Sequence, residues 1–425
     1  MGRVILHSDL NNFYASCECA LDTSLREKAV AVCGNQAERH GIVLAKNYLA
    51  KSCGVTTGEA VWQAKQKCPD LVVVEPHYQT YVKYSQLVRE IYYHYTDRVE
   101  PFGMDECWLD VSDPDTDIAK GARIANEIRE RVKFETGLTV SVGVSFNKIF
   151  AKLGSDLKKP DAVSVISDDN ASPDYFQSKI WGLPASDMLG VGRATKRRLD
   201  GYGIHTIGDL AHTDLAFFRH NFGKNGEQLW YFANGLDTSE VCPIGGGQGS
   251  KSFGHGTTTL YDLTDNDEVW TLMLDLAQNI GHSLRSSGLF ASGVAIHLRD
   301  SELFTRQFQC QLERPTMSAY KIACAAYELF LKSYNWALPL RSVTVTAINL
   351  VEESDSPQQL SMLDEDVLCD RRDEKREAIE SCVDKLRSRF GDKSVQPATL
   401  LKPKCAKMNE TKLTMPTGTT TVTKK

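Results

Sequence analysis

Residues 101–111 read Pro101-Phe102-Gly103-Met104-Asp105-Glu106-Cys107-Trp108-Leu109-Asp110-Val111. Adjacent side chains of a straight strand point to opposite faces, so Asp105 and Glu106 cannot serve one site from inside a strand. Gly103 permits the tight backbone of a hairpin turn, where neighbouring carboxylates can converge. The stretch therefore predicts a β-hairpin that presents two carboxylates at its tip and continues into an apolar strand.

A third carboxylate, Asp9, ends another apolar run at residues 4–9. A further short strand at residues 138–144 is expected to pack beside the acidic hairpin. Most isolated Asp-Glu pairs are solvated turn residues, so the prediction depends on the surrounding sequence. Three carboxylates at strand ends of one sheet supply the oxygen ligands that a pair of Mg²⁺ ions requires, with room for phosphate oxygens.

The bulk composition limits the possible classes of protein. A chain of 425 residues suggests about three domains, and 42% hydrophobic with 24% charged residues is typical of a soluble globular protein. The absence of a long apolar run or a signal peptide predicts a cytoplasmic protein without a membrane partner. The 12 cysteines contain no Cys-x-x-Cys and predict reduced thiols, not a zinc site. The formal net charge of −6 gives no indication of a nucleic-acid partner.

Two aromatic residues follow the first strand. Asn11 and Asn12 predict a helix start after Asp9, because Asn is a favourable N-cap residue. Phe13 and Tyr14 fall in the first turn of this helix. Periodicity favours two core aromatics, and the alternative is a ring that packs against the sugar of a bound nucleotide.

Tyr48 and Lys51 lie three residues apart on a predicted helix, so they share one face. A phenol beside an ammonium group suits a polyphosphate, although an exposed surface pair is the commoner arrangement. A second predicted helix, at residues 145–160, carries several lysines and ends at Pro160. These lysines either neutralise phosphates or form a solvated helix end, and the pattern alone favours neither. They are Lys148, Lys152, Lys158 and Lys159.

Residues 170–236 form a separate predicted helical unit. Gly190 and Gly192 make a Gly-x-Gly turn between two helices, and cations including Lys196 follow it. The amides of such a hairpin can face a backbone phosphate, which indicates DNA binding without sequence specificity. A hairpin that serves only packing is the alternative.

The C-terminal half changes pattern after a Gly-rich linker at residues 245–249. Strand, helix, strand, strand, helix and strand follow one another up to residue 351, which predicts a split βαβ domain with one open sheet face. From residue 402 onward six lysines and one glutamate give 6 − 1 = +5, and this tail is predicted to be disordered. A last amphipathic helix at residues 370–390 is expected to have an apolar face formed by Ile379, Cys382, Val383, Leu386 and Phe390.

These features together resemble the Y-family DNA polymerases, of the bacterial DinB/UmuC type that copies damaged templates. Residues 9–14 look like the first metal motif of that family, and residues 104–106 look like its second. Tyr48 and Lys51 fall where the family has its triphosphate-binding helix, with Lys51 in place of a frequent Arg. Residues 155–160 contain the phosphate lysine of the family, Lys159. The resemblance covers residues 1–352 and a bacterial-type tail.

The resemblance implies an α+β multidomain fold, in which a right-hand polymerase has a palm, small fingers, a helical thumb and a βαββαβ little finger. It implies the following boundaries: palm 1–16 and 76–168, fingers 17–75, thumb with a helix-hairpin-helix 169–236, linker 237–246, little finger 247–352, clamp-binding peptide and C-terminal helix 353–401, and disordered tail 402–425.

The resemblance also implies low-fidelity, template-directed addition of deoxynucleotides to a primer by a monomer with two Mg²⁺ ions. Asp9, Asp105 and Glu106 would be catalytic metal ligands, joined by the carbonyl of Leu10. Tyr14 would exclude ribonucleotides. The remaining implied contacts are Phe13, Tyr48, Lys51 and Lys159 for the nucleotide, Gly41, Ile42 and Gly58 above the new base pair, Gly190, Gly192, Lys196 and Lys251 for DNA, and Gln359, Leu360, Met362 and Leu363 for a sliding clamp.

Two other classes remain open at this point. A nucleotidyl cyclase can use a similar two-metal palm, but it needs no DNA-binding hairpin and the chain lacks a Gly-Gly-Asp/Glu-Glu-Phe turn. A non-catalytic DNA-binding or regulatory relative of a polymerase is the second alternative, and the three carboxylates count against it. The patterns do not decide between the DinB-like and UmuC-like branches, so an accessory subunit also stays open.

Overall fold

The computed structural model describes residues 2–36, 39, 41–246, 250–352, 364–391 and 394–401. The expected clamp peptide, with Gln359, Leu360, Met362 and Leu363, and the expected tail lie outside these residues. The described chain forms two compact units. The first contains residues 2–34 and 41–246, and the second contains residues 35–36, 39, 250–352, 364–391 and 394–401.

The first unit is built on a five-stranded sheet of order β5-β6-β1-β7-β8. All neighbours are antiparallel except β7 and β8. The strand expected beside the acidic hairpin, β7, pairs with β1 instead, so that expectation was wrong. Every residue of β1 is buried, and a central position gives it a partner on both sides. The strands are β1 (Ile5–Leu10), β5 (Val99–Pro101), β6 (Glu106–Asp110), β7 (Val140–Ser145) and β8 (Val163–Ile166).

Helices cover both faces of this sheet. On one face α1 (Phe13–Leu21), α4 (Tyr78–Tyr92) and α5 (Ile118–Thr136) pack against the apolar side chains of the central strands. On the other face lies α6 (Lys148–Leu157). A Cβ on Gly143 of β7 would lie 1.9 Å from the carbonyl oxygen of Ala151, so the close approach of α6 requires glycine there.

A smaller sheet of order β3-β2-β4 lies in the same unit. Its core consists of small apolar residues, and its helix α2 begins where the side chain of Asn47 accepts a hydrogen bond from the Ala50 amide. The elements are β2 (Val30–Cys33), β3 (Val43–Lys46), α2 (Tyr48–Ser52), α3 (Val61–Lys67) and β4 (Val72–Val74).

Four helices follow the large sheet, and their shared core includes Phe218 and Leu229. They are α7 (Phe176–Ile180), α8 (Arg193–Gly201), α9 (Ile207–His212) and α10 (Leu215–Ala233).

The segment at residues 237–246, for which the resemblance implied a linker, lies against the large sheet. Val241 is 1% exposed and packs with Ile5 and Trp108. The amide of Cys242 donates to Glu100 Oε2 at 2.9 Å. This segment is therefore part of the core of the first unit and not a free connection.

The second unit has the predicted βαββαβ order. Its four strands form an antiparallel sheet of order β11-β10-β12-β9. Two helices cover one face, while His297 and Arg299 are exposed on the other. The elements are β9 (Ser252–Leu263), α11 (Asn266–Ser287), β10 (Leu289–Asp300), β11 (Thr305–Thr316), α12 (Ala319–Ser333) and β12 (Leu340–Glu352).

The last helix, α13 (Asp364–Phe390), contradicts the expected apolar contact face. Ile379, Leu386 and Phe390 are 54, 38 and 63% exposed. The helix is instead attached to the rest of the second unit by ion pairs of Glu380 and Asp384 with Arg285. None of the helices in the described part of the chain is long and apolar enough to cross a membrane.

Candidate active site

The three carboxylates predicted from the sequence come together at one end of the large sheet. Asp9 of β1 lies directly opposite Glu106 of β6 in the antiparallel register. Asp105 precedes β6, and its carbonyl accepts a hydrogen bond from the Leu10 amide at 2.9 Å. One end of β1 therefore holds both acidic residues of the hairpin.

The hairpin turn explains how adjacent carboxylates serve one site. Gly103 has φ 105°, and a Cβ there would lie 3.3 Å from Asp105 Oδ1. Helix α4 supports the same turn, since Arg89 Nη2 donates to the Gly103 carbonyl at 2.9 Å and Ser85 Oγ donates to that of Met104. The turn is thus fixed from behind, and glycine is required at its tightest point.

Two lysines contact the carboxylates. Lys159 Nζ lies 2.7 Å from Asp9 Oδ2 and also pairs with Asp156, while Lys152 pairs with Glu106. Among the described residues, no group of three or more His, Cys, Asp or Glu side chains is arranged to hold a metal ion as it stands. The donor set still fits hard cations, because buried carboxylate oxygens outnumber the lysines that face them.

The other predicted lysines behave differently. Lys148 is buried, pairs with Glu100 at 2.7 Å and lies 4.5 Å from the ring centre of Trp108. It therefore stabilises the packing of α6 and cannot reach a phosphate. Lys158 is exposed beyond the end of α6.

Burial and charge pull the pKa values of the three acids apart. Burial raises the pKa of Asp9 to about 6, although the nearby Lys159 lowers it in part. Burial also raises the pKa of Asp105, and the charge of Glu106 adds to this effect. For Glu106 burial acts in the same direction, but the contacts with His7 and Lys152 outweigh it and lower the pKa to about 2. A bound cation would relieve the cost of holding Asp9 and Asp105 ionised.

Of the two aromatic residues at the start of α1, Phe13 lies in the core and Tyr14 lies at the site. Phe13 is 3% exposed and belongs to the core, as periodicity indicated, and this leaves little of it for a nucleotide. Tyr14 is half-buried, and its hydroxyl lies 3.5 Å from Met104 Sδ in the hairpin turn. The expected Asn cap was wrong, because Asn12 takes a left-handed conformation and its side chain makes no capping hydrogen bond.

Tyr48 and Lys51 lie on α2 with the lysine 5.8 Å from the ring centre of the tyrosine. Burial raises the pKa of Tyr48, and the charges of Lys159 and Asp9 act on this pKa in opposite directions. Burial and the charge of Lys51 lower the pKa of Lys46, a further cation that the sequence did not reveal. Lys46 and Lys51 therefore lie close to each other, and Lys51 lies beside the ring of Tyr48.

The Gly-x-Gly hairpin lies between a 3₁₀ turn (Ala185–Asp187) and α8. Gly190 has φ 93°, and Gly192 occupies the N-cap of α8. Lys196 is exposed and pairs with Asp200 at 2.8 Å. In the second unit Lys251 is exposed just before β9.

His7 is a site residue that the sequence reading missed. It is fully buried, with Nδ1 2.9 Å from Ser155 Oγ and Nε2 3.2 Å from Glu106 Oε2. Strand periodicity was an available signal, since residues 7 and 9 of β1 lie on the same face of the sheet.

Comparisons with known proteins agree with this arrangement. The model of the impB/mucB/samB family matches residues 8–156, and that of its C-terminal domain matches residues 250–362. Residues 186–237 match the model described as the DNA polymerase-iota thumb domain.

Similar proteins cover nearly the whole chain. DNA polymerase IV of Acetivibrio thermocellus is 50% identical over 94% of this chain and 98% of its own length. DNA polymerase IV 1 of Bacillus subtilis is 35% identical over 96% of both. A solved Y-family DNA polymerase chimera shares the fold with a TM-score of 0.72, at 22% identity, over 82% of this chain and 100% of its own.

Proposed function

Because this chain belongs to the DinB-type, impB/mucB/samB family of Y-family DNA polymerases and is a DNA-directed DNA polymerase, we propose that it extends primers across damaged templates at low fidelity. The observation that carries the proposal is the convergence of Asp9, Asp105 and Glu106 at one end of the large sheet.

The carboxylates would bind two Mg²⁺ ions. Asp9, Asp105 and Glu106 would hold one ion, and Asp9, Asp105 and the carbonyl of Leu10 would hold the other. When bound, such ions activate the primer 3′-hydroxyl and stabilise the leaving pyrophosphate. Glu106, with its low pKa, stays ionised across the working pH range and would keep its oxygens available as ligands.

The flanking cations would orient the triphosphate. Lys159 would exchange its contact with Asp9 for phosphate oxygens once a cation offsets the carboxylate. Tyr48 and Lys51 would bind the same phosphates from α2, with Lys51 as a point charge where an Arg would form a two-pronged contact.

Selection of the incoming nucleotide would fall to residues around its sugar and base. The Tyr14 ring would occupy the space of a ribose 2′-hydroxyl and exclude ribonucleotides. Gly41, Ile42 and Gly58 would lie above the new base pair and leave space for a distorted template base. Phe13 would act only by supporting Tyr14, since it is buried.

The duplex would be held through its backbone, which carries no sequence information. Gly190, Gly192 and Lys196 of the hairpin and Lys251 of the second unit are the proposed contacts. The peptide at residues 359–363 would bind a sliding clamp. We place the monomeric enzyme in the cytoplasm and retain the palm, fingers, thumb and little-finger boundaries given above as part of this proposal.

Primer extension on a synthetic primer-template tests the proposal, with Mg²⁺ and single deoxynucleotides. We expect templated extension by the wild type and almost none by Glu106→Ala, because the ligand is lost. Glu135→Ala, an exposed carboxylate on α5, is the matched control and should extend normally. Absence of extension by folded, DNA-bound wild type would favour the regulatory relative, for which Asp105→Ala leaves every activity unchanged.

A further inference from the structure

A buried carboxylate behind Tyr14 has no part in the mechanism above. Glu18 of α1 is 3% exposed, and Tyr81 of α4 is fully buried. The Tyr81 hydroxyl donates a hydrogen bond to Glu18 Oε1. His77, the N-cap residue of α4, places Nδ1 3.0 and 3.1 Å from the two carboxylate oxygens. Glu18 of α1 thus contacts α4 at Tyr81 and at its N-cap.

The ring of Tyr14 packs against the ring of Tyr81. The two are stacked, with centroids 4.3 Å apart and planes 12° apart. Tyr78 meets Tyr14 at its edge, with centroids 6.0 Å apart and an angle of 89°. Tyr14 and Glu18 are four residues apart on α1, so they lie on the same helix face. The face of the Tyr14 ring therefore rests on a side chain whose far end is held by Glu18.

We call the hydrogen bond from the Tyr81 hydroxyl to Glu18 the anchor. Packing of α1 against α4 does not by itself explain why a carboxylate is buried there. A buried ionised group is destabilising without good partners, and apolar packing between α1 and α4 would need no carboxylate. A phenylalanine at position 81 would also provide the stacked ring. What the hydroxyl and the carboxylate add is a fixed orientation, because a hydrogen bond to a charged acceptor restricts rotation of the ring. Burial, with Glu18 beside it, raises the pKa of Tyr81, so its hydroxyl remains a donor.

We propose that Glu18 is a positioning residue for sugar selection, which fixes the Tyr81 ring and thereby the distance of the Tyr14 ring from the 2′ position of the incoming nucleotide. The inference rests on the proposed function, in which Tyr14 excludes ribonucleotides. Without the anchor, the Tyr81 ring can turn and the Tyr14 ring can retreat to admit a 2′-hydroxyl.

The test compares kcat/KM for a deoxynucleotide and the matching ribonucleotide. Tyr81→Phe keeps the ring and removes the hydroxyl, and we expect the selectivity ratio to fall about tenfold, the effect of losing a charge-assisted hydrogen bond. Glu18→Gln keeps an acceptor without the charge and should give a smaller fall. The ratio does not depend on the fraction of folded enzyme, because both substrates are measured on the same sample.

Two controls separate the possible outcomes. Tyr78→Phe removes the hydroxyl of a neighbouring tyrosine whose ring meets Tyr14 edge-on, and it should leave the ratio unchanged. The Glu18→Gln, Tyr81→Phe double variant should be no less selective than Tyr81→Phe alone, because both changes remove one interaction. Additive losses would contradict the anchor.

The exclusion of ribonucleotides by Tyr14 needs a separate check. Tyr14→Ala should admit ribonucleotides more readily than any other variant. If Tyr14→Ala relaxes selection while Tyr81→Phe keeps the wild-type ratio, the anchor is overturned and the proposed function stands. If Tyr14→Ala has no effect on selection, Tyr14 does not exclude ribonucleotides, and the positioning role of Glu18 is overturned with it.

Discussion

Each unit of the molecule contains a group of carboxylates that are at least partly buried, and the two groups differ in how many hydrogen-bond donors hold each acid. In the first unit Asp9, Asp105 and Glu106 share two lysines. Among the described residues Asp105 forms no ion pair, and burial raises its pKa together with that of Asp9. Negative charge is therefore in excess at the end of β1.

In the second unit both carboxylates of the group, Glu380 and Asp384, have a fixed donor. Arg285 Nη1 lies 2.7 Å from Glu380, and its Nε lies 2.7 Å from Asp384. Glu380 also accepts hydrogen bonds from the Ala319 amide at 3.0 Å and from Ser318 Oγ at 2.9 Å, at the start of α12. These acids attach α13 to the unit and need no further cation.

The comparison shows that removing a partly buried acid should have opposite effects on stability in the two units. Where donors are complete, removal of one acid leaves a buried cation without a partner and costs stability. Where donors are too few, removal of one acid relieves repulsion and costs only function. The ratio of fixed donors to acids separates a structural cluster from a reactive one.

The largest expected effect comes from Asp105→Asn. Losing a proposed ligand of both metal ions should lower kcat/KM for primer extension about 1,000-fold or more, which is about 4 kcal/mol of transition-state stabilisation. The melting temperature should stay constant or rise, since the ionised acid is disfavoured by burial. Single-nucleotide incorporation and thermal melting measure the two quantities. A marked loss of melting temperature would place Asp105 with the structural acids.

The next effect is on stability, in the second unit. Glu380→Ala should lower the free energy of unfolding by about 3 kcal/mol, because Arg285 and the start of α12 lose their partner. Extension per folded molecule should not change. Lys385→Ala, exposed on the same helix, is the control and should shift stability by less than about 0.5 kcal/mol. Denaturant unfolding measures both, and equal losses would mean that Glu380 is not an anchor.

The smallest effect is a pH dependence of the metal-free protein. The pKa of Asp9 is raised from 3.8 to about 6, so the folded state binds its proton more tightly than the unfolded state. The contribution of Asp9 to the free energy of unfolding therefore falls as pH rises from about 4 to about 6. The decrease is about 2 kcal/mol after allowance for partial contact with solvent. Glu106 acts oppositely, and loses its contribution only as pH falls below 4.5 toward about 2.

The Asp9→Asn variant tests this pH dependence of stability. In the presence of a chelator it should match the wild type at pH 4 and be more stable at pH 7, as judged by thermal melting. Asp384→Asn should instead be less stable than the wild type at pH 7. If both variants changed the melting temperature at pH 7 in the same direction, the distinction between the two groups of acids would be wrong.

Local patterns predicted what depends on local chain geometry. Gly103 and the adjacent acids indicated the hairpin, and alternating apolar residues indicated the βαββαβ order. The position of β7 beside β1 could not be read in this way, because strand order depends on pairings between distant segments. The contact face of α13 was mistaken because its helix is attached by ion pairs, which hydrophobic periodicity does not detect.

Buried polar side chains were the main omission at the site. Composition gives no indication that Lys148 is buried against Trp108 or that His7 contacts Glu106. Glu18 and Tyr81 are 63 residues apart and meet only in the folded chain. Such pairs become visible once the partners of each buried polar atom are known.

The strip of chain at residues 237–246 determines where the molecule can be shortened. A fragment that stops at residue 236 would lose Val241 from beneath Ile5 and leave Glu100 without the Cys242 amide. The gap would open under the strand that carries Asp9. A minimal catalytic piece should therefore keep this strip through Ile244, whose amide donates to the Asp97 carbonyl at 2.9 Å, and end after it.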